Sequence, residues 1–185
     1  MEPLFEVFQA RAQAVSAEVH RFARKAEALD FIAEFLESQT TGTVGWPVVW
    51  AAGPFFDGPE KERMRARIPA LTCEVTRERA ASATAGITEV EWAIANTGTL
   101  AGDFTAVERR LASTLPPVHI AIAPTDAIQP DLPALFARLH PRQANYISFI
   151  TGPSRTADIE RVLTIGVHGP KRLIIVFVDE LGRAQ

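Results

Sequence analysis

The chain has 185 residues, 47% of them hydrophobic, which is enough for one substantial core and too few for two. Its formal net charge of -3 provides no basic field, so no nucleic-acid or membrane partner is expected. The lone cysteine, Cys73, excludes an internal disulfide and cannot furnish the four thiolates of a typical iron–sulfur cluster.

Residues 4–38 carry Phe5, Phe8, Ala12, Val15, Val19, Phe22, Ala26 and Leu29 at alternating intervals of three and four, a spacing that predicts one long helix or two end to end. Residues 1–40 are accordingly expected to be an N-terminal helical segment, and 41–185 the main domain, within a single structural domain. Its narrow apolar seam either lies on its own domain or pairs with a second copy in a homo-oligomer, and composition does not choose. The opening residues lack the basic start and continuous apolar stretch of a signal peptide. The longest apolar run, Leu173 to Val178, has six residues, against the ~20 that span a bilayer, and the expected location is the cytoplasm.

Val48 to Ala51 reads as a short strand, followed by the loop GPFFDGP with Phe55 and Phe56 tucked beneath it. RERAASATA, residues 77–85, is compatible with a helix that Gly86 would stop. Then apolar runs alternate with helix-like stretches: strands at Glu91–Ala95, Val118–Ala123, Tyr146–Ile150 and Leu173–Val178, and helices at Ala106–Ser113, Pro133–Leu139 and Ala157–Leu163. Strands apolar on both faces suit a mainly parallel sheet covered on either side, so the expected fold class is a three-layer α/β/α domain.

In open α/β sheets, ligands sit beyond the carboxyl ends of the strands, which draws attention to two loops. One is NTGT after Ala95, comprising Asn96, Thr97, Gly98 and Thr99. The other is TGPSRT after Ile150, comprising Thr151, Gly152, Pro153, Ser154, Arg155 and Thr156. Hydroxyls, a glycine and an arginine ahead of an expected helix could cradle a carboxylate or phosphate. The same residues could equally cap a helix and turn a corner, with Asp158 and Glu160 complementing the helix end. His168 and Gly169, in IGVHGPKR, add a side chain able to act as acid, base or donor near neutral pH, and His168 is the one catalytic candidate. His20, His119 and His140 are scattered without metal-ligand spacing, so no metal site is expected, and neither a P-loop nor a dinucleotide fingerprint occurs.

Three segments, ITGPSRTADIERVLTIGVHGPKRL, GITEVEWAIANTGTL and LPPVHIAIA, resemble the LUD-domain family, and within it the lactate-utilization protein C branch. The resemblance covers roughly residues 86–178 and implies a fold similar to the NagB/RpiA/CoA-transferase-like group. It also implies a part in oxidising L-lactate to pyruvate beside two iron–sulfur proteins, the A and B types. Any clusters would then belong to those partners, and this chain would carry no cofactor of its own. The family signature falls on Thr97 to Thr99, on Thr151 through Glu160, and on Gly166 and His168 to Pro170. Relatives often carry an acidic residue where this chain has Asn96, and an amide cannot exchange a proton at neutral pH. Two functions follow: an accessory or ligand-binding subunit of such a lactate system, or a stand-alone enzyme for a small anion of sugar-phosphate, acyl-CoA or folate type.

Overall fold

A computed structural model describes residues 3–39, 46–51, 53–139, 144–157, 163–165 and 168–181. In chain order the elements are α1 (Leu4–Ala14), β1 (Glu18–Phe22), α2 (Lys25–Gln39), β2 (Val48–Trp50), α3 (Pro59–Arg67), β3 (Leu71–Thr72), α4 (Arg77–Ser82) and β4 (Ala85–Glu89). They continue with β5 (Trp92–Ile94), β6 (Thr99–Asp103), α5 (Val107–Thr114), β7 (Val118–Pro124), β8 (Ile128–Gln129), α6 (Leu132–Phe136), β9 (Ile147–Ile150), β10 (Arg155–Ala157), β11 (Leu163–Ile165) and β12 (Arg172–Val178).

The main sheet has six strands in the order β1-β12-β7-β4-β2-β3, and every pairing is parallel. β12 and β7 occupy its centre. From Leu173 to Val178 and from Val118 to Ala123 every residue is buried, as expected where both faces are covered. On one face α2 and α3 pack Leu29, Ile32, Leu36 and Met64 against Val48, Ile87, Ile120 and Val176. On the other face, Ala80 of α4 and Ala112 of α5 cover Val49, while α1 covers the opposite end through Phe8 and Ala12. A second sheet, β8-β5-β6-β9, completes that face, packing Ala93 and Leu100 on the inner strands. The α/β architecture agrees with the sequence reading, except that an antiparallel sheet shares the second layer with the helices.

The expected helix over 4–38 is broken by a strand. α1 ends in a left-handed residue, Ser16 at φ 70, with Ala17 N–H donating to Ala12 O at 3.0 Å and Ser16 N–H to Gln13 O at 2.9 Å. That is the paired hydrogen bonding of a Schellman stop, made with serine where glycine is usual, and so without the residue that signals it in a sequence. β1 then joins the sheet edge beside β12, where the Arg172 guanidinium pairs with Glu18 at 2.8 and 3.0 Å. The apolar seam accordingly packs on the chain's own sheet, through Phe8 and Ala12 of α1 and Val19 of β1.

Two further expectations are corrected. Gly86 stops no helix: α4 ends at Ser82, and Gly86 lies inside β4, where a Cβ would sit 1.9 Å from the Ala112 carbonyl oxygen. Glycine is needed there so that α5 can lie close on the strand. Ala157 and Leu163 belong to the antiparallel hairpin β10–β11 rather than to a helix, and residues 158–162, with Asp158 and Glu160, lie outside the described residues, as does His140. Phe55 and Phe56 are tucked as expected, 1% and 2% exposed, with Phe56 stacked on Trp50 at 3.8 Å.

No described helix is long and apolar enough to cross a membrane. α4 is anchored by Thr76, whose Oγ1 accepts from Arg79 N–H at 3.2 Å. Thr76→Ala removes this cap and is expected to lower the unfolding free energy by about 1 kcal/mol in urea titrations, with an unchanged denaturant slope.

Candidate functional site

The two loops singled out by sequence meet, though neither leads into a helix. NTGT is the turn of the antiparallel β5–β6 hairpin, and TGPS links β9 to β10, which Arg155 begins. β6 pairs with β9, so the loops emerge side by side, and Thr99 Oγ1 and Thr151 Oγ1 share a hydrogen bond of 2.8 Å. Both loops press on the end of α1. A Cβ on Gly98 (φ 63) would lie 2.3 Å from the Ala12 nitrogen, and one on Gly152 (φ 68) would lie 2.5 Å from the Val15 carbonyl oxygen. These two glycines therefore serve both a left-handed backbone and a close approach to a helix.

The elements next to this corner place it at the amino-terminal edge of the main sheet. Ser154 N–H donates to Pro170 O at 2.8 Å and Lys171 N–H to Pro117 O at 2.7 Å, and those prolines precede β12 and β7. The loops thus leave the carboxyl ends of β5 and β9, as expected, yet lie at the amino edge of the parallel sheet. An open cleft of about 490 Å³ lies here, lined by Thr151, Gly152, Pro153, Ser154, Arg155, His168 and Gly169, with Ser113, Thr114 and Ser148 adding hydroxyls. Gly169 lies close against Ser154, where a Cβ would fall 2.9 Å from the serine Cβ.

Asn96, Thr97, Gly98 and Thr99 do not line this cleft. Asn96 and Thr97 are exposed at the hairpin tip, the Asn96 N–H donating to Pro130 O at 3.1 Å, and Thr99 is a buried brace beneath Thr151. Thr156 falls in β10 and Gly166 lies outside the described residues. His168 is exposed on the cleft wall, free to meet a ligand from solvent. Arg155 is exposed and donates from Nη2 to Ser16 Oγ at 2.8 Å, beside the carbonyl-rich end of α1, where a cation is favoured. What this cleft offers is a row of hydroxyls with one guanidinium and one imidazole, a donor set suited to a small carboxylate.

A second, more enclosed pocket of about 360 Å³ was not anticipated from sequence. It sits at the carboxyl edge, where Ala51 follows β2, Glu89 ends β4 and Pro124 ends β7. β2 connects outward to β3 while β4 connects inward to β7, so the pocket opens at the point where the winding reverses. Both Glu89 carboxylate oxygens accept from Phe55 N–H at 3.0 Å. Burial raises the Glu89 carboxyl above its ordinary range, against the lowering effect of the Phe55 and Phe56 amides and of Arg109. Arg109 spends donors elsewhere, on Glu91 Oε1 at 2.7 Å and on the backbone oxygens of Asp103 and Glu89. The available clue was an acidic residue directly after the apolar strand start AGIT, at residues 85–88.

Fold and clefts together define an open α/β domain with a small-molecule-sized cavity at each edge of its parallel sheet. The chain belongs to the LUD-domain family, whose family model matches residues 5–178. It is 36% identical over 109 residues to Lactate utilization protein C of Halalkalibacterium halodurans, covering 56% of this chain and 47% of that protein. To Lactate utilization protein C of Bacillus subtilis it is 35% identical over 109 residues, covering 56% and 45%. The chain spans about half the length of these relatives. A solved DUF162-family protein from Deinococcus radiodurans shares the fold at a TM-score of 0.65 and 22% identity, over 95% of this chain and 96% of the other.

Proposed function

We propose that this chain is the ligand-binding, accessory subunit of a system that oxidises L-lactate to pyruvate together with A- and B-type iron–sulfur proteins. Converting the alcohol carbon of lactate to a ketone releases two electrons and two protons, so an electron acceptor is required. One cysteine cannot hold a four-thiolate cluster, and in this reading the electrons pass to clusters in the partners.

The observation that carries the reading, beyond the relatives' names, is the row of Thr151, Ser154, Arg155 and His168 along one cleft at the amino edge. A 2-hydroxy acid matches it: the carboxylate can take the Arg155 guanidinium, while its hydroxyl exchanges hydrogen bonds with Thr151 or Ser154. Thr99, held against Thr151, is a positioning residue that fixes the threonine rotamer.

The test has two arms. Anaerobic copurification should bring down cysteine-rich partners, and calorimetric titration of L-lactate or pyruvate into that assembly should weaken at least tenfold in Arg155→Ala and in Thr151→Val. Failure to associate under reducing, anaerobic conditions overturns the subunit role. A melting-temperature rise of the isolated chain with phosphorylated sugars, CoA thioesters or folates would instead support the stand-alone enzyme, because a ligand that binds only the folded state stabilises it.

A further inference from the structure

The pocket at the carboxyl edge has chemistry opposite to that of the hydroxyl-lined cleft. Its walls are apolar, formed by Pro54, Phe55, Val90, Ile122, Pro124 and Leu181. Its polar members are Glu89, Glu91 and Arg109. Glu91 is already engaged on both oxygens, by Arg109 at 2.7 Å and by the Asp103 N–H at 3.0 Å. Glu89 is different. Its carboxylate accepts from the Phe55 N–H, the Phe56 amide and the Arg109 charge lie near enough to favour its ionised form, and no cation among the described residues hydrogen-bonds to it. A carboxylate has about four lone-pair positions, so this side chain retains capacity for a further donor.

Room for that partner is built in. Gly53 lies over the carboxyl, where a Cβ would be 2.4 Å from both Cδ and Oε1 of Glu89, so any larger residue would push the acid out of place. Two carboxylates against one guanidinium make the pocket repel anions, and its unspent groups are acceptors. What fits is a ligand that brings donors and positive charge on a short apolar body. Away from water, a charge-assisted N⁺–H···O⁻ contact to Glu89 is stronger than a neutral one.

We propose that the pocket around Glu89 is a binding site for a small organic ammonium ion, its cationic head on the Glu89 carboxylate and its aliphatic portion against Phe55, Ile122 and Pro124. The site lies at the opposite sheet edge from the hydroxyl-lined cleft and is independent of the lactate reading. Its volume of about 360 Å³ falls at the lower end of the range for small-molecule pockets, which matches a ligand of a few carbons.

The probe is n-butylammonium at pH 7.5, followed by ligand-observed NMR titration of the full chain, with butyrate and 1-butanol as equal-sized anionic and neutral comparisons. Butylammonium should bind saturably, with affinity at least tenfold above either comparison. Glu89→Gln should lose at least tenfold in affinity, while Glu34→Gln, on the exposed face of α2, should not change it. Equal binding of 1-butanol, preference for butyrate, or retention of affinity in Glu89→Gln would each overturn the proposal. Should Glu89→Gln fail to fold by circular dichroism, the wild-type chain decides. Butylammonium must then slow carbodiimide-driven coupling of glycinamide to Glu89, read by peptide mass spectrometry, and the absence of protection refutes the site.

Discussion

Replacing Gly98 by alanine should destabilise the protein by about 2–5 kcal/mol, one of the largest single-residue effects in the chain. The left-handed backbone at φ 63 costs an alanine about 1–2 kcal/mol. The added methyl would then lie 2.3 Å from the nitrogen and 2.7 Å from the Cα of Ala12, backbone atoms of a helix whose Ala12 is fully buried. Overpacking of this kind adds about 1–3 kcal/mol, because a helix has to shift where a flexible side chain could have swung aside. Thr97→Ala, one residue away and exposed, should stay within about 0.5 kcal/mol. Urea midpoints of the two variants test the docking of the β5–β6 hairpin on α1, and equal midpoints would refute it. Gly98 is then a fold-forming residue within a segment that resembles a ligand loop.

Acidification should destabilise the chain before its carboxylates titrate. His119 is buried in β7, with Nε2 2.8 Å from Thr88 Oγ1, and burial lowers its pKa from 6.5 to about 3. Above pH 6.5 the imidazole is neutral in folded and unfolded chains alike, and pH has no leverage through it. Below that, the unfolded chain takes up a proton that the folded chain refuses, so stability falls as pH drops, until the folded imidazole protonates near pH 3. The loss amounts to about 2 kcal/mol by pH 5, approaching a slope of about 1.4 kcal/mol per pH unit. Glu89 works in the opposite direction, since its raised carboxyl takes a proton more readily in the folded state. Asp103 and Asp179, held low by Thr105 and by Arg21, give their losses at lower pH. Replacing His119 by Phe together with Thr88 by Val removes both members of the polar pair, and most of the pH 6.5-to-5 slope should be lost from urea titrations, leaving the contributions of His20, whose pKa burial also lowers, and of Glu89. If the double variant keeps the wild-type slope, His119 is not the group responsible.

The neighbouring loops bear differently on function. Thr151, Ser154, Arg155 and His168 line a cleft, whereas Asn96 to Thr99 form a hairpin tip and a brace beneath it. Gly98 and Gly152 turn the corner against α1, and the hydroxyl and guanidinium side chains that follow Gly152 face solvent. The amide at Asn96 lies outside the cleft wall.

The central strands were legible because burial on both faces leaves an unbroken apolar run, as in LIIVFV of β12, and no helix of that composition would stop so abruptly. Tucked Phe55 and Phe56 were legible for a similar reason: two rings side by side on a loop of this size find cover most readily beneath it. β1 was not, since Val19 and Phe22 continue the helical spacing of α1 and the break rests on a serine in a glycine's conformation. Nor was the Glu89 pocket, because its parts come from residues 51–55, 89–91, 109, 122–124 and 181, distant along the chain. The sequence by itself determined the fold class and the family, through hydrophobic pattern and local motif, both of which are properties of adjacent residues. Only the tertiary structure decided which edge of the sheet each loop occupies and which carboxylate has no cation hydrogen-bonded to it among the described residues. Strand order and charge pairing are set by contacts between residues far apart in the chain, and no local pattern records them.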